Sequence, residues 1–146
     1  MSATTVSTGP TATTAALPRP GRAARRAGWA VTGFVGAFLL FDSVIHLVNI
    51  PAARDGSVRL GFDPGLSPVM GVLELVFLAL YLYRRTDVLG ALLLTAYLGG
   101  ACAAQVRIDA PLYSTLLFPV YTAIAVWGGL WLRDAEVRAL VPARRG

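Results

Sequence analysis

Four long runs of apolar residues, separated by short connections that carry arginine, dominate the pattern of this chain. The runs cover about residues 29–50, 67–83, 88–106 and 112–132. A helix needs about 17–25 apolar residues to cross a bilayer core about 30 Å thick, and each run reaches that length. A soluble amphipathic helix carries a polar face with regular spacing, which these runs lack. The pattern therefore predicts an all-α protein, a transmembrane four-helix bundle.

The composition agrees with a membrane environment. The chain is 55% hydrophobic and only 14% charged, and its mean hydropathy is +0.62. All thirteen basic side chains are arginine and the formal net charge is +5, which raises the alternative of a nucleic-acid-binding protein. The arginines lie at the ends of the apolar runs, however, and not along one face of a soluble domain. We therefore place them in the lipid headgroup region and predict no nucleic-acid partner.

The two ends of the chain differ from the apolar runs. Residues 1–28 are rich in Ala, Thr, Pro and Gly and contain no aromatic residue. Such a segment buries too little apolar surface to offset its ordering entropy, so a disordered N-terminal tail is predicted. Residues 133–146 are predicted to be a short basic tail. The first apolar run is longer than the core of a signal peptide and no A-x-A-like site follows it, which favours a retained anchor.

The distribution of arginine predicts the orientation. With the N-terminus inside, ten arginines lie in cytoplasmic segments and three lie in outer loops. Cytoplasmic loops of membrane proteins are enriched in basic residues, so we expect an inner-membrane protein with both termini in the cytoplasm. The short connection RRTD between the second and third runs makes those two helices antiparallel neighbours.

Ionisable residues inside the apolar runs are the candidate functional residues. Asp42, His46 and Asn49 recur at i, i+4 and i+7 and share one helical face, and Glu74 lies at a similar depth in the second run. A charge at bilayer depth costs at least about 2.5–3.5 kcal/mol, so these side chains are expected to face the bundle interior. With Arg107 at the end of the third run, they form a predicted polar cluster in the outer half of the bundle. The inner half is predicted to be nearly all apolar.

Two interpretations of this predicted cluster stay open. In the first it is structural: Asp42 bonds His46, and Glu74 either holds a proton or pairs with Arg107. In the second it lines an outward-facing pocket for a quinone-like or other small ligand, or it handles protons.

The sequence contains few residues or motifs that could bind a metal or a cofactor. One histidine and two carboxylates give too few ligands for a metal site, so none is predicted. No haem, flavin or iron–sulfur motif is present, which leaves a quinone as the one cofactor class kept open. The single cysteine, Cys102, excludes an internal disulfide and a CxxC relay, and we assign it to packing.

Small residues at intervals of four predict where helices pack closely. Gly33 and Ala37 have this spacing in the first run, and Ala96, Gly100 and Ala104 repeat it in the third. Small side chains let membrane helices approach one another, so these positions are expected at helix–helix contacts.

Four segments carry a resemblance to a known family. They are FDSVIHL at the end of the first run, PVMGVLEL with Gly71 and Glu74 in the second, RRTDVLGALLLTAYLGGA leading into the third, and FPVYTAIAVWGGLWLRD in the fourth. In order and spacing, residues 41 to about 142 resemble the DoxX-like family of small membrane proteins. The resemblance implies a four-helix inner-membrane protein, usually without an assigned function. Some DoxX proteins are linked to thiosulfate oxidation that feeds quinones, or to membrane complexes with soluble redox and sulfur-handling partners.

Three functions remain open. The first is a non-catalytic membrane subunit or anchor that recruits a partner enzyme, such as a redox enzyme. The second is a quinone-linked oxidoreductase subunit that uses the outer polar pocket. The third is a small transporter acting as an oligomer, which is the weakest because no inverted repeat is evident. We favour a protein that lies in the bilayer and binds a protein partner or a second copy. We expect that it is not an enzyme on its own, and we assign no catalytic residue.

The arginine distribution generates a test of topology. Reporter fusions at Gly146 and within residues 55–57 are expected to report opposite compartments, with the Gly146 fusion cytoplasmic, because of the bias of ten arginines to three. Compartment-specific reporter activity measures this directly. Two reporters on the same side would show that both the orientation and the number of spans are wrong.

Overall fold

The computed structural model describes residues 20–140, which form an all-helical protein. The helices are α1 Arg22–Val48, α2 Pro51–Arg59, α3 Ser67–Leu82, α4 Asp87–Val106, α5 Phe118–Arg133 and α6 Ala135–Leu140. A 3₁₀ turn precedes α3 and a turn of π-helix precedes α5. With those turns included, four helices of 27, 19, 20 and 22 residues are long and apolar enough to cross a membrane.

The four long helices pack as a bundle. Helix α1 contacts α3 and α5, and α4 contacts the same two helices. The start of α1 lies against the end of α5, and the end of α1 lies against the start of α3, so neighbouring helices are antiparallel. The core along the bundle axis contains Val35, Leu39, Leu78, Tyr81, Ala91, Leu94, Val126, Leu130 and Val137. The predicted all-α four-helix architecture is confirmed.

Glycines set the closest approaches between these helices. A Cβ on Gly71 of α3 would lie 2.6 Å from the carbonyl oxygen of Ser43 and 2.7 Å from the backbone nitrogen of Leu47. A Cβ on Gly90 of α4 would overlap the backbone of Tyr81 in α3. No larger residue fits at either place without moving the backbone. Gly71 and Gly90 therefore bring α3 against α1 and α4.

The prediction that Gly33 and Gly100 lie at helix–helix contacts was wrong for this chain. A Cβ on either glycine would meet nothing within 4 Å. Ala37 and Ala96 are exposed as well, and Ala104 is the one buried residue of the five. The buried face of α1 carries other small residues, among them Gly28, Gly36 and Ser43, so spacing alone does not show which small residues turn inward.

The ends of the bundle contain more helix than the sequence pattern predicted. Helix α1 begins at Arg22, so residues 22–28, assigned to the disordered tail, are helical. Ala and Arg, which dominate that segment, are strong helix formers. In the C-terminal tail, α6 packs Val137 against the core, and in the outer connection Pro51–Arg59 forms α2. Residues 1–19 and 141–146 lie outside the part of the chain that the structure describes.

The close approach at Gly71 generates a stability prediction. Gly71→Ala is expected to lower the free energy of unfolding by about 1–3 kcal/mol, because the added methyl group overpacks the contact between α1 and α3. Gly100→Ala makes the same chemical change on an open helix face and serves as the control. Unfolding in mixed detergent micelles measures both. Equal stability of the two variants would contradict the assigned close contact.

Candidate functional site

Part of the predicted polar cluster forms at the interface of α1 and α3. We call Asp42, His46, Ser67 and Glu74 the α1–α3 polar cluster. His46 Nε2 is 3.7 Å from Asp42 Oδ2, one helical turn away. On the other side of the ring, His46 Nδ1 is 3.0 Å from the hydroxyl oxygen of Ser67, which also donates to the His46 carbonyl at 3.3 Å. His46 lies in α1 and Ser67 in α3, so these bonds connect the start of α3 to the last turns of α1. Ser67 is fully buried, so its bonds are shielded from solvent.

Glu74 is the most deeply buried carboxyl group of the α1–α3 polar cluster. Its residue exposure is 1%, and its Oε2 has no hydrogen-bond partner among residues 20–140. The carboxyl group lies beside the carboxyl group of Asp42 and the hydroxyl group of Ser43, both on α1. Tyr97 of α4 lies within Coulombic range of both carboxyl groups. The interface thus gathers groups that can each accept or donate a proton.

Asn49 and Arg107, the other two predicted site residues, make different contacts. Asn49 ends α1 in a left-handed conformation with φ 55°, and its N–H donates to the His46 carbonyl at 3.1 Å. Arg107 is exposed just after α4, and a Cβ on Gly61 would be 3.4 Å from its Nη2. The ion pairs within residues 20–140 are His46–Asp42 and Arg133–Asp87, so the alternative pairing of Glu74 with Arg107 does not form there.

A second polar group lies at the opposite end of the bundle. We call Trp29, Tyr81, Asp87 and Arg133 the Arg133 cluster; they come from α1, α3, α4 and α5 in turn. Arg133 Nη2 is 3.5 Å from Asp87 Oδ2, and the two side chains are only 4% and 10% exposed. The guanidinium carbon lies 4.4 Å from the ring centroid of Trp29 and 5.6 Å from that of Tyr81. One cation therefore contacts all three of the other long helices through charge and cation–π attraction.

Tyr81 extends the Arg133 cluster into the bundle. The ring is fully buried, and its hydroxyl group donates to the Val126 carbonyl at 3.0 Å and lies 3.4 Å from the Thr32 hydroxyl oxygen. Gly129 makes room for this arrangement, since a Cβ there would be 2.7 Å from Thr32 Oγ1. The prediction that the half of the bundle opposite the α1–α3 polar cluster is nearly all apolar was therefore wrong.

The sequence held only a weak signal for the Arg133 cluster. Asp87 and Arg133 lie at the edges of apolar runs, where charged residues ordinarily face lipid headgroups. They are 46 residues apart, so no local spacing connects them. The informative detail is Asp87, an acidic residue directly before the third apolar run, because a carboxylate that is drawn into the bundle needs a partner.

Two cavities of about 670 and 340 Å³ open elsewhere on the bundle. Asp42, His46 and Glu74 line neither of them. The cavities therefore add nothing to the interpretation of the polar cluster as a ligand pocket, which stays a prediction. Within residues 20–140, no three His, Cys, Asp or Glu side chains are grouped so that they could hold a metal ion.

Comparison with known protein families places most of the chain in one of them. The model of the DoxX-like family matches residues 30–129 of the chain. No curated protein and no solved structure shows significant similarity to it. The matched range contains the whole α1–α3 polar cluster and Asp87, but it ends before Arg133.

The Arg133 cluster generates a prediction about stability. Asp87→Asn is expected to lower the free energy of unfolding by about 3–5 kcal/mol, because it leaves the buried Arg133 guanidinium without its counter-charge. The double variant Asp87→Asn/Arg133→Met removes both charges and should recover part of that loss. Asp55→Asn, on the exposed surface of α2, is the matched control. Parent-like stability of Asp87→Asn would show that the ion pair does not hold the bundle together.

Proposed function

Because the chain belongs to the DoxX-like family, we propose that it is a non-catalytic membrane subunit, an anchor that holds a partner protein at the inner membrane. One observation carries this proposal: three ionisable side chains within the four long helices, His46, Glu74 and Arg133, contact polar groups of other helices. His46 meets Ser67, Glu74 meets Asp42, and Arg133 meets Asp87. These groups hold the helices to one another, as expected of a scaffold.

The packing around the α1–α3 polar cluster supports a structural role. Gly71 lies so close to α1 that a Cβ there would be 3.1 Å from His46 Cβ, and Ser67 and Glu74 are both buried. A catalytic or transport site needs space for a substrate beside its polar groups. Interhelical polar contacts in membranes contribute on average about 0.6 kcal/mol each, so several together stabilise a bundle appreciably. The cluster is therefore better suited to fixing α3 on α1 than to binding a ligand.

The partner is proposed to be a protein of redox or sulfur metabolism, as the family resemblance implies. The quinone-linked subunit and the oligomeric transporter remain the alternatives. Each of the three functions predicts a different molecule that co-purifies with the full chain from its native membrane. Purification in a mild detergent therefore distinguishes the three functions. We expect a stoichiometric protein partner. Bound quinone without a protein partner, or a homo-oligomer with neither, would contradict the anchor.

Glu74 gives a sharper prediction within the same purification. Glu74→Gln keeps the shape of the side chain and most of its hydrogen bonding but removes its charge. If the α1–α3 polar cluster is structural, this variant should fold, and its yield of co-purified partner should match that of the parent. Asp55→Asn is again the matched control on an exposed carboxyl group. A stable Glu74→Gln protein that loses its partner or a cellular phenotype would instead assign a function to the carboxyl group.

A further inference from the structure

A cleft of about 670 Å³ opens at the end of the bundle that carries the Arg133 cluster. We call it the arginine cleft; it lies between the start of α1, the connection from α3 to α4, and α6. Arg25, Trp29, Arg84 and Arg85 line it, and Arg133 lies at its base. The cleft therefore presents several guanidinium groups to whatever enters it.

The arginine cleft is lined by four arginines and three acidic residues, so its net charge stays positive. Asp87 pairs with Arg133, whereas Asp134 and Glu136 form no ion pair within residues 20–140. Arg25, Arg84 and Arg85 are exposed and form no ion pair within residues 20–140. Arg133 is itself only partly satisfied, because its buried Nε has no hydrogen-bond partner in the same range.

A second cavity lies further along α1, toward the middle of the bundle. This apolar groove of about 340 Å³ lies between the outward faces of α1 and α3. Its floor is formed by small residues, with Gly33, Gly36 and Ala37 on α1 and Ala79 on α3. The face is open at Gly33, where a Cβ would meet nothing within 4 Å.

The two cavities lie along one line. Trp29 lines the arginine cleft, and Gly33, one turn further along α1, lines the groove, which ends at Leu40. On α3, Leu82 lines the groove, and Arg84, two residues later, lines the cleft. The rise of a helix gives about 12 Å from Thr32 to Leu40, the part of α1 that lines the groove. The groove therefore covers most of the depth of one leaflet, which is about half of the hydrocarbon core of about 30 Å.

Charge distinguishes this end of the bundle from the other. Among residues 20–140, seven arginines and three carboxylates lie at the end with the cleft: Arg22, Arg25, Arg26, Arg84, Arg85, Arg133 and Arg138, with Asp87, Asp134 and Glu136. The opposite end carries three of each: Arg54, Arg59 and Arg107, with Asp55, Asp63 and Asp109. Only the first end complements an anionic headgroup.

We propose that this end of the bundle binds an anionic phospholipid, with its phosphate group in the arginine cleft and one acyl chain in the groove between α1 and α3. Basic pockets between membrane helices are suited to such headgroups. Trp29 lines the arginine cleft one helical turn before Gly33, which lines the groove. Indole rings favour the membrane–water interface, where a phospholipid headgroup lies. A neutral quinone or the apolar helix of a second copy would fill the groove but would leave the excess positive charge of the cleft without an anionic ligand.

Thermal unfolding of the full chain in detergent tests the proposal. Phosphatidylglycerol is expected to raise the unfolding midpoint, and phosphatidylcholine with the same acyl chains is expected to leave it nearly unchanged. Inorganic phosphate alone should have little effect, because it cannot occupy the groove. Native mass spectrometry of the parent protein should retain the anionic lipid in preference to the zwitterionic one.

Matched variants separate the headgroup site from the chain site. Arg84→Gln/Arg85→Gln is expected to weaken the apparent affinity for phosphatidylglycerol on the order of thirtyfold, from the attraction of two arginines to an anionic headgroup. Arg54→Gln/Arg59→Gln, on exposed arginines of α2, should leave that affinity unchanged. Gly33→Leu fills the groove without a clash and should also weaken binding, whereas Gly100→Leu, on an open face of α4, should not.

Three results would overturn the proposal. Equal shifts with the two phospholipids would show that the headgroup charge is not recognised. A phosphate ion that reproduces the whole shift would show a simple anion site without a lipid chain. Cross-links from a cysteine placed at Gly33, in a Cys102→Ser background, to a second copy would show that the groove is filled by protein.

Discussion

The contacts of the buried Arg133 guanidinium group are the interactions on which the bundle most depends. Lipid tails are as apolar as leucine, so burial of apolar side chains does little to specify which membrane helices pack together. Arg133 provides this specificity, since it contacts Asp87, Trp29 and Tyr81 on three other helices. A charge in this place is costly unless it is paired, so the arrangement of the four helices that provides these partners is strongly favoured.

The other end of the bundle is fixed by different means. There the backbones of α1 and α3 meet at Gly71, and the hydrogen bonds between His46 and Ser67 lie beside that contact. Close packing and short polar contacts reinforce each other, because the glycine permits the distance that the hydrogen bonds require. Contacts at both ends thus hold the four helices in one arrangement, on which the proposed role as an anchor depends.

Arginine serves two physical purposes in this chain. Arg84 and Arg85 lie exposed in a connection, where guanidinium groups interact with water and lipid headgroups. Arg133, from the same end of the bundle, is buried between aromatic rings and a carboxylate. Composition and net charge do not distinguish the exposed arginines from the buried one. The difference comes from their neighbours, because Arg133 lies beside Asp87, Trp29 and Tyr81 of the other three long helices.

The sequence by itself determined the all-helical architecture, the four spans and the place of Glu74 inside the bundle, because length, hydropathy and the cost of buried charge are properties of each segment alone. It did not determine that Gly71 rather than Gly33 makes a close contact, or that Asp87 meets Arg133. Those facts depend on how each helix is rotated about its axis. That rotation is decided jointly by all four helices, since a polar or small residue acquires its role only from the side chain that the next helix places opposite it.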